Sequence, residues 1–428
     1  MQRAAPAPRR YSAARPRPAG ALSPTLSGRG QQSAGRLQKL TADNSSHNEA
    51  GDRIAGIRLS LVIQPLPRPI SDAKVLTGRQ RPLTEVALLF CEIETRDGHS
   101  GMGFSYSKRA GGHGQYAHAI EIADQIIGDD PSDIQKIWMK LVWAGASVGR
   151  SGLSVQAIAA IDVALWDLKA KRAGLPLAKL LGAHRDSVRV YNTSGGFLSS
   201  DIGEVTQAMS RSIASGIGGV KMKVGQPDMR KDLARLEAVR EHVGDLPLMV
   251  DANQQWSRAD ALRFGRAVDD LGLVWIEEPV DAYDAVGHAE LAQLLTTPIA
   301  SGEMLTSVAE HYELIHNRSV DILQPDAPRI GGITPFLKLI ALADHANLEI
   351  APHYAMEIHL HLSAIYPRET WVEHFEWLET LFNERLAIRS GRMALPKGAG
   401  LGFTLSGEMR RLTVASQEFG AIAPRLAA

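Results

Sequence analysis

Six polar residues close six apolar runs at a nearly constant interval along the second half of this chain. They are Lys223 after GGVKM, Asp251 after LPLMV, Glu277 after LVWI, Glu303 after PIASG, Asp326 after VDILQP and His353 after LEIAP. The steps between them are 28, 26, 26, 23 and 27 residues, about one strand, one helix and two short loops each. A parallel β/α barrel requires this spacing, because each strand buries its body and delivers its last residues to one common rim. Three carboxylates, a lysine, a further aspartate and a histidine on one rim make a metal site with acid–base groups on either side. The pattern therefore implies a metal-assisted enzyme that works next to a carboxylate.

The eight barrel strands are read from their ends as VRVYNTSGG, GGVKMKVG, LPLMVDANQ, LVWIEEP, PIASGE, VDILQPD, EIAPH and TWVEHF. Before them, IRLSLVIQPL, TEVALLFCEIET and SGMGFSYS read as strands, followed by helices at roughly 115–127, 132–147 and 153–173. Strands first and helices second make a separate α+β unit. The expected fold is α/β, a (β/α)7β TIM-like barrel over 186–385. An α+β capping domain over 53–185 is completed by 386–428, whose turn-rich short strands are expected to pack back on it. Residues 1–42 hold no Asp or Glu and are rich in Ala, Pro, Ser, Gly and Arg. Such a segment buries too little apolar surface to offset chain entropy, so 1–52 is expected to be a disordered extension. Its acid-free composition also resembles an organellar leader, but prolines at 6, 8, 16 and 18 oppose the helix a leader forms and favour a plain extension on a cytoplasmic enzyme.

Balanced charge, 47 basic against 47 acidic residues, gives no reason to expect nucleic acid or an anionic membrane as a partner. No apolar run approaches the ~18 residues needed to span a bilayer. The single cysteine, Cys91, lies in VALLFCEIE and reads as a buried hydrophobe. One cysteine forms no internal disulfide, which suits a reducing compartment.

Asp251, Glu277 and Glu303 on consecutive strands give an all-oxygen donor set suited to Mg2+. Glu278 faces away from Glu277 and reads as structural. Residues two apart on a strand share a face, which pairs Lys221 with Lys223 and Asp251 with Asn253; Asn253 is a candidate substrate contact. Two ammonium groups about 7 Å apart repel by roughly 2.4 kcal/mol at an effective dielectric of 20. Lys223, nearer the rim, should then lose its proton more easily than a free lysine and act as a base. Across the mouth, Asp326 is placed to hold His353 in one tautomer as a second acid–base group. Glu373 on the last strand completes the ring and, if protonated, would donate to a substrate carboxylate. His359 and His361 read as packed residues. The loop LPRPISDAKVLTGRQRP and the turn YSKRAGGHGQ bring Lys74, Arg79, Arg81, Lys108 and Arg109 over the barrel mouth. Lys74 and Arg79 are the substrate-binding candidates among them.

Lys-x-Lys, Asp…Glu…Glu, Asp…His and a final Glu, in that strand order, resemble the enolase superfamily, mandelate racemase subgroup. The muconate-lactonising relatives place a lysine where Asp326 stands. YNTSGGF, KVGQP, VDANQQW, WIEEPVDAYD, GEMLTS, QPDAPRIGGI and APHYAMEIHLHLSA are similar to the acid-sugar dehydratases of that subgroup, those acting on L-talarate and galactarate. The resemblance covers about residues 53–428. It implies an Mg2+-dependent hydro-lyase that takes a dicarboxylic sugar acid to a 2-keto-3-deoxy diacid. By the resemblance, Asp251, Glu277 and Glu303 become metal ligands, Lys223 and His353 the acid–base pair and Asp326 the partner of His353. Lys221 and Glu373 become carboxylate-binding and oxyanion-stabilising residues, and the assembly becomes a homo-oligomer, an octamer in the family. The runner-up is a racemase or epimerase, or a dehydratase of another sugar acid such as glucarate or fuconate. Which of Lys223 and His353 acts as base at each step stays open.

Overall fold

The structure is a computed structural model that describes residues 51–424. The expected disorder of residues 1–50 lies outside the described residues. Asp52 is already buried and accepts the Asp97 N–H (3.1 Å), and the first strand runs Ile54–Ile70.

That strand sits in a four-stranded antiparallel sheet between Thr413–Gly420 and Leu83–Thr95, with Ser100–Lys108 beyond. Its partner Thr413–Gly420 reaches only Gly56–Val62. Pro65 and Pro67 therefore fall where the strand has become an edge and no N–H is needed. The helices Gly112–Ala123, Ile134–Ala144 and Leu153–Arg172 cover one face of this sheet. Gly101 and Gly103 let the last helix approach closely: a Cβ at either would lie 2.2–2.4 Å from the carbonyl oxygens of Ala164 and Ala160. Met102, Phe104 and Tyr106 alternate onto the opposite face and join the core shared with the barrel.

The barrel strands are Ser187–Asn192, Val220–Lys223, Leu248–Asp251, Ile276–Glu277, Ile299–Ser301, Ile322–Leu323, Glu349–Ile350 and Trp371–His374. The first seven pair in sequence order, in parallel, and the eighth pairs with the first. The seam between the seventh and eighth is bridged by the Thr370 hydroxyl on the Ile350 carbonyl and by the Tyr354 N–H on Glu373 (2.9 Å). Inside, Tyr191, Met249, Trp275, Ile322 and Trp371 form a plug. Met249, Trp275 and Trp371 stand two residues before Asp251, Glu277 and Glu373, so the period-2 face that builds the plug also lifts the site onto it.

The tail departs from expectation. Thr413–Gly420 does complete the capping sheet, but Arg392–Ala394 pairs antiparallel with the first barrel strand instead. Residues 386–424 thus serve both units, because the tail passes along the first barrel strand before it reaches the capping sheet. No described helix is long and apolar enough to cross a membrane.

Candidate active site

The strand register sets Lys223 beside Asp251 and Asp251 beside Glu277. Glu303 follows two residues after its strand ends, past Gly302, whose φ of 138° turns the chain inward. One carboxylate oxygen from each of Asp251, Glu277 and Glu303 lies within 4.8 Å of the others, and all three side chains are buried. Three converging hard oxygen donors fit a Mg2+ ion.

The surrounding donors orient these carboxylates. Glu277 Oε2 accepts from Lys221 Nζ (2.7 Å), Trp275 Nε1 (3.1 Å) and Gln324 Nε2 (2.9 Å). Its other oxygen makes none of these bonds. Asp251 accepts from the Asn253 N–H (2.8 Å) and from Asn253 Nδ2 (3.3 Å). Asn253 is past the strand end, with φ 47°, so its side chain reaches back by a turn and not by strand alternation. Burial, reinforced by Asp251 and Glu303, pushes Glu277 up to about 8 despite Lys221. A carboxylate that is neutral by preference without a further cation is consistent with a cation site at Glu277. Glu278 turns away as expected and accepts from Gln254 Nε2 (2.8 Å), while its Oε1 is buried without a partner.

Two electrostatic expectations are corrected. Burial and Lys221 both favour deprotonation of Lys223, but the Asp251 carboxylate in direct contact, with Glu303 and Glu277 behind it, outweighs them and holds Lys223 above the ordinary lysine range. Glu373 is not poised to donate. Burial favours its neutral form, yet Lys221 at 3.0 Å, His353 and the Thr193 hydroxyl at 2.6 Å bring it down to about 2. It is an ionised acceptor at neutral pH.

Across the mouth, His353 Nδ1 lies 2.8 Å from Asp326 Oδ2. Its Nε2 lies 3.2 Å from Glu303 Oε2 and 3.3 Å from Lys108 Nζ. A carboxylate only accepts and an ammonium only donates, so these two neighbours demand opposite states of Nε2. Nδ1, held by Asp326, is independent of that choice. His359 braces both loops: its Nε2 accepts the Ala327 N–H (2.9 Å) beyond Asp326, and Nδ1 lies 2.9 Å from the Tyr354 carbonyl beyond His353.

A cavity of about 140 Å3 lies at this rim, between the barrel and the capping domain. Lys221, Lys223, Asn253, Glu303, His353 and Glu373 line it from the barrel, and Lys74, Lys108 and Arg109 from the capping side. Arg109 is paired with Asp72 (2.9 Å). Arg79 does not line the wall. It hydrogen-bonds the Gln254 carbonyl (3.2 Å) and the Gln255 side chain, and its neighbour Gln80 faces the cavity. Lys108 lies 4.2 Å from the Tyr354 ring centroid and within 6.0 Å of those of Phe375 and Trp377. Burial lowers it to about 8, opposed by Glu303, Glu373 and Asp326.

Sequence reasoning missed Tyr106, Gln324 and Thr193. Gln324 had a signal, since it stands two residues before Asp326; Tyr106 had none beyond strand alternation.

Residues 73–182 match the mandelate racemase/muconate lactonizing enzyme N-terminal domain, and residues 204–409 match the enolase C-terminal domain-like family. This chain belongs to the mandelate racemase/muconate lactonizing enzyme family. It is 62 % identical to an L-talarate/galactarate dehydratase of Salmonella typhimurium strain LT2, over 89 % of this chain and 96 % of the relative. A crystal structure of that dehydratase liganded with Mg and L-lyxarohydroxamate superposes with a TM-score of 0.87, covering 88 % of this chain and 96 % of the other. An L-talarate dehydratase from Polaromonas sp. JS666, complexed with Mg and L-glucarate, is 65 % identical with a TM-score of 0.85, covering 87 % and 100 % of the two chains. A family member of different name, a 3,6-anhydro-alpha-L-galactonate cycloisomerase of Streptomyces coelicolor, is 35 % identical over 84 % of this chain and 99 % of its own length.

Proposed function

We propose that this chain is an Mg2+-dependent hydro-lyase that dehydrates L-talarate, galactarate or both to a 2-keto-3-deoxy diacid. The observation that carries the reading is the convergence of Asp251, Glu277 and Glu303 at a cavity lined by Glu303, Lys223 and His353, in a chain 62 % identical to a dehydratase of these acids.

Asp251, Glu277 and Glu303 would hold the metal, which supplies electrostatic stabilisation of the charge that builds on the substrate carboxylate. Lys221 adds a fixed positive charge from the barrel floor, and Asn253 orients Asp251. Lys223 ends strand two and His353 follows strand seven, so they face the bound acid from different sides. One removes the α-proton, a step to which a positioned base contributes about 10²–10⁴-fold. Expulsion of the β-hydroxyl with a proton from an acid–base group gives an enol, which tautomerises to the keto acid. Asp326 holds the His353 tautomer through this cycle. Lys74 and Lys108, at the capping end of the cavity, supply positive charge for the distal carboxylate. The near-neutral composition and the single buried cysteine suit a cytoplasmic enzyme of small-molecule catabolism. Exposed Met139, Trp143 and Val148 (43, 61 and 64 %) supply apolar surface for a homo-oligomer, which native mass measurement would count.

The test is a screen of acid sugars with Mg2+, reading keto acid as its semicarbazone. Product from L-talarate or galactarate supports the reading, and product from a monocarboxylate acid sugar alone counts against it. Groups on two sides of one α-carbon also support a second reading, epimerisation beside dehydration. NMR in D2O would show the other epimer accumulating.

A further inference from the structure

The capping strand Ser100–Lys108 alternates two faces. Gly101, Gly103 and Ser105 turn to the helix Leu153–Arg172, and Met102, Phe104, Tyr106 and Lys108 turn to the barrel. The last two barrel-facing residues reach the two nitrogens of one ring. The Tyr106 hydroxyl donates a short hydrogen bond to Asp326 Oδ2 and lies 3.2 Å from His353 Nδ1. Lys108 Nζ stands 3.3 Å from Nε2.

Tyr106 is 1 % exposed and is not part of the cavity wall, so it cannot meet the substrate. Its ring packs edge-on against Tyr354, centroids 4.7 Å apart at 68°, which leaves the hydroxyl little freedom to swing away. Burial and the Asp326 charge hold the phenol far above its usual range, so it remains a donor. Asp326 Oδ1 accepts the Arg329 N–H (3.2 Å). Oδ2 is thus clamped by Tyr106 on one side and by His353 on the other.

We propose that Tyr106 is a positioning residue for proton transfer: from the capping domain it fixes the Asp326 carboxylate, and through it the Nδ1–H tautomer and aim of His353. The Asp–His pair is then a three-membered array that exists only when the capping strand is seated on the barrel. This rests on the reading above that His353 moves a substrate proton.

The test uses the full-length enzyme with Mg2+ and three variants, Tyr106→Phe, Ser105→Ala and His353→Asn. Ser105 lies on the opposite face of the same strand with an unpartnered, buried hydroxyl, so its variant reports any general disturbance of the strand. Tyr106→Phe is expected to keep its melting temperature and Mg2+ affinity, hold KM within about twofold, and lose about tenfold in kcat, as for loss of one charge-assisted hydrogen bond. Its pH–rate profile should shift. In D2O the same substrate epimer that loses α-proton exchange in His353→Asn should exchange more slowly, and the other epimer should not. Ser105→Ala should match the wild type. The proposal is overturned if Tyr106→Phe retains full kcat while His353→Asn is inactive, or if both epimers lose exchange equally. A fully active His353→Asn enzyme would instead overturn the acid–base reading itself, and this inference with it.

Discussion

Lys221 donates to Glu277 across 2.7 Å, and each side chain is 1 % exposed. The same ammonium lies 3.0 Å from Glu373 and 3.9 Å from Asp251. One lysine therefore stands against three buried carboxylates, on the face of the second barrel strand opposite to Val220 and Met222.

Replacing Lys221 by Met keeps the volume and removes the charge. Breaking a buried pair by deleting one partner costs roughly 3–5 kcal/mol, since the other charge is left uncompensated. Lys221→Met should melt well below the wild type in EDTA. Added Mg2+ should raise its melting temperature more than it raises that of the wild type, because the cation takes over part of the missing charge. Equal Mg2+ shifts in the two proteins would count against this account.

Metal removal tests the carboxylate cluster directly. Chelation should abolish keto-acid formation, and Mg2+ should restore it. Asp251→Asn should weaken Mg2+ binding by at least about tenfold in calorimetry, since hard dications select charged oxygen ligands.

The barrel half of this site was legible in the sequence for a physical reason. Each strand is a short apolar run ended by one polar residue, so Lys223, Asp251 and Glu277 announce both their strand and their height on it. Glu303 and Asn253 were found by spacing but seated by backbone turns, Gly302 at φ 138° and Asn253 at φ 47°, which alternation does not foresee. Tyr106 was not legible at all. SGMGFSYSK reads as an ordinary two-faced strand, and its contact with Asp326 spans 220 residues of chain. The expected lowering of Lys223 rested on the Lys221 repulsion and on a nearby metal cation; Asp251, in direct contact with Lys223, outweighs the repulsion.

Glu357 supplies a pH prediction away from the metal ligands. It is 3 % exposed, its Oε1 has no hydrogen-bond partner, and burial pushes it up to about 8. An unfolded glutamate titrates near 4.3. Between those values the native state binds more protons than the unfolded state, so this group makes stability fall as pH rises from about 4.5 to about 8. Glu357→Gln removes the titration and keeps the shape. The variant should match the wild type at pH 4.5 and exceed it by roughly 3–5 kcal/mol at pH 8. Denaturant unfolding at the two pH values checks this; an equal difference at both would show that the carboxyl is not the cause.

His353→Asn is the most direct test of the two-sided site. Asparagine keeps a donor for Asp326 Oδ2, now 2.8 Å from His353 Nδ1, but its amide neither takes up nor releases a proton at neutral pH. Dehydration should fall at least about a hundredfold, the lower end of a general acid–base contribution. Mg2+ affinity should change far less than turnover, because His353 meets the carboxylate cluster only through Glu303, with Nε2 3.2 Å from Oε2. If Lys223 serves one face alone, the variant should still exchange the α-proton of one epimer with D2O while losing that of the other. Loss of exchange for both epimers with Mg2+ binding intact would mean that His353 and Lys223 work as a single relay and not as two independent bases.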